Sequence, residues 1–266
     1  MRLSRRSLLA VAPALPIGLA ACSTVFPNTS EIVSRNQTVR TLTVPFNNSH
    51  LLIQNGRGIL IDAAGQHQAE QVDDMMQASG FNPANLEAVV VTHGHHDHAG
   101  GAPHFRQKYG VPIIAGAGDR LLLAEGRNDH LCPTGQFAEL RKPTDQVGTY
   151  EGYEADILVS NRLDLSRDFG MDAAVTVLPG HTHGSIVVSS GEDAFVGDLI
   201  RGTLFGRGAT THFYNCDLDD NIADIELMLA RIAPMATRFH MGHFPSTTRA
   251  SVLSYLAEQK AIRQTL

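Results

Sequence analysis

Residues 92–101 read THGHHDHAGG and place four histidines and one aspartate within ten positions. On extended backbone, His93 and His95 are two residues apart and therefore point their imidazoles to the same side. Asp97 and His98 follow where the chain must curl into a helix, so their side chains can face back across the same pocket. Imidazole and carboxylate ligands without thiolate suit Zn²⁺, and also Fe or Mn. The segment therefore predicts two adjacent metal positions supplied by one loop.

Three later motifs extend this pattern. Pro-Gly-His-Thr occupies residues 179–182, Gly-Asp residues 197–198, and Gly-His residues 242–243. Together with His-x-His-x-Asp-His, and in this order, they resemble the signature of the metallo-β-lactamase-fold hydrolases over most of residues 38–266. The resemblance implies an α/β fold, the four-layer αββα sandwich of two sheets flanked by helices, with the metal site at one edge.

The resemblance also implies a set of metal ligands for two divalent ions, Zn²⁺ first with Fe or Mn as alternatives. The first ion is assigned to His93, His95 and His181, the second to Asp97, His98 and His243, and Asp198 bridges both. Two dications about 3.5–4 Å apart repel, and a shared carboxylate and hydroxide offset that repulsion. A water molecule bound at such a site has a pKa of about 7, whereas that of bulk water is 15.7. Asp97 is the expected catalytic residue, which orients the hydroxide and passes a proton to the leaving group.

Further polar residues near these motifs carry weaker expectations. His183 stands where the family often has a proline, and it is either a support of the ligands or a substrate contact. His212 and Tyr214 lie between the last two motifs and are either substrate contacts or ordinary surface residues. Asp62, which follows a predicted strand, is expected to brace the metal loop by hydrogen bonding. His96 falls at a non-ligand position and is expected to be a neighbour of the site.

The elements that must position these residues alternate between strand and helix patterns, which indicates an α/β class with helices covering sheet faces. Runs of alternating or continuous apolar residues predict strands at 38–44, 51–54, 59–61, 86–91, 111–115, 174–178, 185–189, 194–196 and 238–241. Helical spacing of apolar residues predicts helices at 66–79, 103–109, 119–125, 220–232 and 246–264. Residues 126–172 have the least legible pattern.

Composition limits the possible classes of protein. The 266 residues are 43% hydrophobic and 18% charged, which excludes a disordered or fibrous chain. The formal charge of −6 argues against nucleic acid as a partner, and a small-molecule substrate is expected instead. No linker-like or repetitive segment interrupts residues 37–266, so one domain is predicted there.

The first 21 residues predict an export signal. Arginines come first, and the apolar run at residues 8–21 is shorter than the roughly 20 residues that span a bilayer. Residues 4–9 (SRRSLL) resemble the twin-arginine signal. Residues 19–22 (LAAC) resemble a lipobox, which would make Cys22 the lipidated first residue, followed by a tether over 22–36. The expected location is the periplasmic side of a bacterial membrane, with an uncleaved membrane helix as the alternative.

The remaining cysteines, Cys132 and Cys216, are expected to be free or buried thiols. Twin-arginine clients fold before export in a reducing cytosol, although an oxidising periplasm would allow the two to pair. Removal of residues 1–21 takes away three arginines and no acid, which changes the net charge from −6 to −9.

A metal site of this kind supports attack on an electrophilic carbonyl carbon or phosphorus, but the ligand set alone does not identify which of the two the substrate contains. True β-lactamases of the family typically carry Cys or Ser where this chain has Asp198, whereas aspartate resembles members that act on thioesters, lactones and phosphodiesters. We therefore expect hydrolysis of a small-molecule ester, lactone or thioester. A β-lactam hydrolase, a phosphodiesterase and a non-catalytic metal-binding or sensing protein are the alternatives.

Overall fold

The computed structural model describes residues 26–204, 206 and 208–265. In them, one sheet has seven strands in the order β1-β2-β3-β4-β5-β6-β7. Their bounds are β1 Asn28–Val33, β2 Thr38–Val44, β3 Asn47–Gln54, β4 Arg57–Ile61, β5 Leu86–Val91, β6 Ile113–Gly116 and β7 Ile157–Val159. The first four strands pair as antiparallel hairpins, and β4 to β7 pair in parallel.

The second sheet has six strands, which run β15-β14-β11-β10-β9-β8 across the described part of the chain. Their bounds are β8 Arg162–Asp164, β9 Ala174–Val177, β10 Ile186–Ser190, β11 Asp193–Gly197, β14 Arg238–Met241 and β15 Thr247–Thr248. Neighbours are antiparallel except β11 and β14, which are parallel. A short ribbon pairs β12 Arg201–Gly202 with β13 Ala209–Thr210.

Helices cover the outer faces of both sheets. Their bounds are α1 Ala69–Ala78, α2 His96–Ala99, α3 Ala102–Tyr109, α4 Arg120–Glu125, α5 Gln136–Asp145, α6 Ser166–Phe169, α7 Leu218–Leu227 and α8 Arg249–Arg263. A π-helical turn, Met228–Ile232, continues α7. Among the described residues, none of these helices has the length and apolar character needed to cross a bilayer.

Alternation along β5 shows how the layers are built. Val89 and Val91 pack into a core with helix residues such as Phe105, whereas Ala88 and Val90 pack into the core between the sheets. Successive side chains of a strand point to opposite faces, so a strand buried on both faces separates two cores. A third core joins the second sheet to α7 and α8. The layers are therefore helix, sheet, sheet and helix, which confirms the predicted αββα sandwich.

The predicted tether at 22–36 is wrong for part of its length. Residues 28–33 form β1, which pairs with β2 from Asn28↔Thr43 to Val33↔Thr38. Its side chains are mostly exposed, because an edge strand is held by backbone hydrogen bonds and needs no apolar pattern. The predicted export signal and Cys22 lie outside the described residues.

Several boundaries differ from the predictions for local reasons. The last helix begins at Arg249 instead of 246, because residues 247–248 pair with β14 and the Thr248 hydroxyl accepts the backbone N–H of Ser251. The helix predicted at 220–232 begins at Leu218, where the Asp217 side chain caps its first turn. Residues 126–172, whose sequence pattern is the least legible, contain α5, β7, β8 and α6.

Candidate metal centre

The predicted ligands lie where strands of both sheets end at one edge of the sandwich. The 92–98 loop follows β5, His181 follows β9, Asp198 follows β11 directly, and His243 follows β14. Close approach at this edge requires glycine at position 242, because a Cβ there would overlap the His98 ring and the Asp198 carboxylate. The fold therefore brings ligands that follow four different strands together in one cluster.

The first group of ligands consists of three imidazoles whose nitrogens converge. His95 Nδ1 lies 3.1 Å from His93 Nε2 and 3.3 Å from His181 Nε2. The opposite nitrogens of two rings have partners, since His93 Nδ1 lies 3.1 Å from Thr92 Oγ1 and His95 Nε2 lies 2.9 Å from Asp129 Oδ1. These outer acceptors hold the ring protons, so the inward nitrogens present lone pairs.

The second group contains His98, His243 and Asp97. The two Nε2 atoms are 3.3 Å apart, and Asp97 Oδ2 lies 3.9 Å from that of His98 and 3.5 Å from that of His243. His98 Nδ1 donates to Asp62 Oδ2 at 2.9 Å, and His243 Nδ1 donates to the Phe46 carbonyl at 2.6 Å. If each ring is protonated at Nδ1 alone, the facing Nε2 atoms are lone pairs that repel each other. Burial would lower the pKa of both rings, but Asp198 raises it, so the site favours a cation between them, either a proton or a metal ion.

Asp198 lies between the two groups. Its Oδ2 is 3.2 Å from His243 Nε2, 3.4 Å from His98 Nε2 and 3.7 Å from His93 Nε2. The side chain is buried, and neither carboxylate oxygen has a hydrogen-bond partner among the described residues. A buried carboxylate without donors is costly unless a cation neutralises it. The donor set therefore fits divalent metal ions, with Asp198 positioned to contact both groups.

Electrostatics keep the two carboxylates of the cluster in the ionised form that binds metal. Burial alone would raise the pKa of Asp198, but the neighbouring imidazoles of His212, His243 and His98 hold it well below the usual range. Burial alone would also raise the pKa of Asp97, but His98 and His243 hold it well below the usual range. Both carboxylates are therefore ionised at neutral pH.

Two imidazoles of the first group, those of His93 and His181, are kept neutral. Burial, followed by the proximity of other imidazoles, lowers the pKa of His93 and of His181 well below the usual value. A neutral imidazole offers the lone pair that a metal ion binds.

Two buried aspartates brace the ligand loops. Asp62 accepts hydrogen bonds from the Thr92 backbone N–H, the Thr92 hydroxyl and His98, as predicted. Asp119 was missed. Its carboxylate accepts the N–H groups of Gly94 and Gly184 and the Thr182 hydroxyl, and so ties the 92–98 loop to the turn that carries His181. In the sequence, Asp119 resembles only the start of a helix.

A cavity of about 400 Å³ opens over the cluster. Asp97, Asp198 and His243 lie at its floor, and aromatic side chains form much of its wall: Phe46, Phe137, Phe213, Tyr214 and Phe244. His212 and Tyr214 line this cavity, so their contact with substrate stays a prediction. His183 does not: its turn closes through Thr182 and Ser185 and leaves the His183 side chain exposed and away from the cavity-lining residues. His96 is half-buried against Asn128, beside the ligands.

Cys132 and Cys216 form a disulfide, so the expectation of free thiols is wrong. The loops that carry them already pair through backbone hydrogen bonds, from Asn215 N–H to Cys132 O and from Thr134 N–H to Phe213 O. This pairing brings the two sulfurs together. The crosslink joins one wall of the cavity, near Asp129, to the loop that carries His212.

Comparison with known proteins adds to this geometry. The family model described as the metallo-beta-lactamase superfamily matches residues 42–243. A ribonuclease of Thermus thermophilus is 37% identical over 76 residues, 28% of this chain and 17% of the relative. A hydroxyacylglutathione hydrolase of Pelagibacter ubique is 24% identical over 204 residues, 74% of this chain and 66% of the relative. The chain thus spans less than two thirds of either relative.

Solved structures agree on the fold. The structure of a metallo-β-lactamase from Novosphingobium pentaromativorans superposes with a TM-score of 0.63 at 19% identity, covering 92% of this chain and 94% of the other. At this identity the likeness establishes the αββα architecture alone.

Proposed function

Because the chain belongs to the metallo-beta-lactamase superfamily, we propose that this metallo-hydrolase uses two divalent metal ions to cleave a small-molecule ester, lactone or thioester. The observation that carries the proposal is the cluster of seven donor side chains, in which six surround Asp198, whose buried carboxylate has no hydrogen-bond partner among the described residues. Zn²⁺ is the first choice for an imidazole and carboxylate donor set, with Fe or Mn as alternatives.

Each side chain has a role in this proposal. His93, His95 and His181 would hold one ion, Asp97, His98 and His243 the other, and Asp198 both. When bound, the ions would lower the pKa of a water molecule towards about 7 and polarise the scissile carbonyl. Asp97 is ionised and faces the cavity, so its free oxygen can accept a proton from the attacking water and return it to the leaving group.

The cavity wall supports a small substrate with an apolar group. Phe46 and Phe137 are more than half exposed and both line the cavity, an arrangement that favours contact with an apolar acyl or aryl group. The relatives named as hydroxyacylglutathione hydrolases support the thioester member of the class. The acidic net charge argues against a nucleic-acid substrate.

The test is a panel of substrates that share one acyl group and differ at the scissile bond: an aryl ester, a lactone and a thioester, with a phosphodiester and a cephalosporin alongside. We expect turnover of at least one of the first three, lost with a chelator and with Asp97→Asn. Turnover of the cephalosporin or the phosphodiester alone would replace the proposed substrate class. Metal-loaded protein that hydrolyses none of them would overturn the proposal in favour of a binding role.

We also propose that the protein is an exported lipoprotein, tethered through Cys22 on the periplasmic side of a membrane. The basic start, short apolar run and LAAC motif support export. The Cys132–Cys216 disulfide supports an oxidising compartment. In cell fractionation, Cys22→Ser should move the protein from the membrane to the soluble fraction. Continued membrane retention of that variant would contradict the lipid anchor and indicate an uncleaved helix.

A further inference from the structure

His212 lies in the cluster and is not one of the seven expected ligands. Its side chain is buried, on the loop between β13 and α7. The ring meets His181 edge-on with centroids 4.9 Å apart and stacks on His243 with centroids 5.4 Å apart. His212 thus packs between one imidazole of each metal group.

The Nε2 atom of His212 is close to Asp198 but not bonded to it. It lies 3.0 Å from Asp198 Oδ2, yet neither atom has a correctly directed hydrogen bond among the described residues. Two polar atoms at this separation that do not point at each other can both point at a third position. Ligands of one metal ion have this relation, because each directs its lone pair at the ion.

The other ring nitrogen is compatible with this role. His212 Nδ1 can donate to the Tyr214 carbonyl oxygen at 3.2 Å in one tautomer, and in the other it accepts the longer contact from the Tyr214 backbone N–H at 3.3 Å. Donation from Nδ1 to the carbonyl leaves Nε2 as a lone pair. The opposite tautomer would leave a buried Nε2–H without a well-directed acceptor, which is costly.

We infer that His212 is an additional metal ligand, which binds through Nε2 beside His181 and Asp198. Donor atoms of these three side chains lie within 4.8 Å of one another. The inference rests on the metal centre of the proposed function but not on the proposed substrate. It gives the first ion four imidazoles and one carboxylate, a donor number that favours metals with more than four ligands over tetrahedral Zn²⁺.

The loop of His212 is held in place before any ion binds. The Thr134 hydroxyl donates to the His212 carbonyl at 2.6 Å, and the Cys132–Cys216 disulfide closes the loop on its other side. A ligand on a fixed loop loses little conformational entropy on binding, so its removal should be felt in metal affinity.

The test compares His212→Ala with His183→Ala, which removes an exposed histidine from the neighbouring turn. Metal-free protein is titrated with Co²⁺, and the metal content, the visible spectrum and the affinity against a competing chelator are measured. We expect His212→Ala to bind one ion at least about tenfold more weakly and to change the cobalt bands, since even outer partners of ligands are worth about 10–100-fold. His183→Ala should match the parent protein.

Two further measurements keep the result decisive. Free imidazole should restore the parent spectrum to His212→Ala by filling the vacated position, and His212→Gln replaces the alanine variant if that one does not fold. Unchanged cobalt bands and affinity in a folded His212 variant would overturn the inference and leave the seven-ligand centre intact. Failure of the parent protein to bind Co²⁺ would overturn the metal centre itself. Hydrolysis is not used as a readout, so a wrong substrate class cannot imitate either result.

Discussion

Replacement of Asp119 by asparagine should loosen the first metal position selectively. The carboxylate is buried and accepts three hydrogen bonds, from Gly94 N–H at 2.7 Å, the Thr182 hydroxyl at 2.6 Å and Gly184 N–H at 2.7 Å. It therefore joins the loop of His93 and His95 to the turn of His181. Asparagine keeps the shape, but its amide NH₂ replaces either Oδ1, which faces the Gly184 N–H, or Oδ2, which faces the other two donors.

The size of the effect follows from those contacts. One or two hydrogen bonds to a charged acceptor are lost at about 1.5–3 kcal/mol each, so the free energy of unfolding should fall by about 1.5–6 kcal/mol. Burial raises the pKa of Asp119, because its charge is costly to bury, so the loss should lie near the lower limit of about 1.5 kcal/mol. The affinity of the first ion should fall by about 10–100-fold.

Asp62→Asn is the matched control. Asp62 is equally buried and also accepts three hydrogen bonds, but it orients His98, a ligand of the second group. Urea unfolding should give similar losses of stability for the two variants. In Co²⁺-loaded protein, the shifted N–H resonances of the imidazoles should weaken at the first position in Asp119→Asn and at the second in Asp62→Asn. Loss of the same resonances in both variants would refute the assignment of one brace to each position.

Four further predictions follow from individual contacts. Asp198→Asn should retain at most one ion by elemental analysis, because the shared anionic ligand is gone; two retained ions would contradict its bridging role. Reduction of the Cys132–Cys216 disulfide, or its double serine variant, should lower the free energy of unfolding by about 2–4 kcal/mol in urea titrations and make chelation faster. Burial, followed by His240, lowers the pKa of His50 from 6.5 to about 3, so below pH 6.5 the folded state binds fewer protons than the unfolded state. The free energy of unfolding should therefore fall as the pH drops from about 6.5 towards 3, and His50→Gln should flatten that dependence in unfolding measurements. Phe46 has a φ of 68°, which costs about 1–3 kcal/mol in a non-glycine residue, so Phe46→Gly should lose little stability while KM rises for substrates with long acyl chains; an unchanged KM would remove Phe46 from the substrate site.

The sequence was informative wherever a local pattern carries the signal. Strand β2 was predicted with its observed bounds, and the 92–98 ligands follow β5 as expected, because alternation and apolar runs report burial directly. The brace of Asp62 was also predictable, since it follows a strand that must end beside β5.

Other features depend on contacts between distant parts of the chain. Asp119 reaches Gly184 across 65 residues, and Cys132 meets Cys216 across 84 residues. No local sequence pattern indicates either contact. The edge strand β1 lacks an apolar pattern, because its backbone pairing leaves most of its side chains in solvent, so its sequence is typical of a tether. Such features become visible only after the two sheets are packed.

The buried charges around the cluster give the metal centre a structural consequence. Asp62, Asp119 and Asp198 are all buried, and the ion-pair partners of Asp62 and Asp198 within the described residues are histidines. Neutral imidazoles cannot balance these carboxylates, so positive charge must come from protons on the histidines or from metal ions. Because the ligands follow β5, β9, β11 and β14, bound ions also link the two sheets at one edge. Metal binding should therefore add to the stability of the whole sandwich, since ligands that are deprotonated and fixed in the folded state bind the ion more tightly than the unfolded chain does.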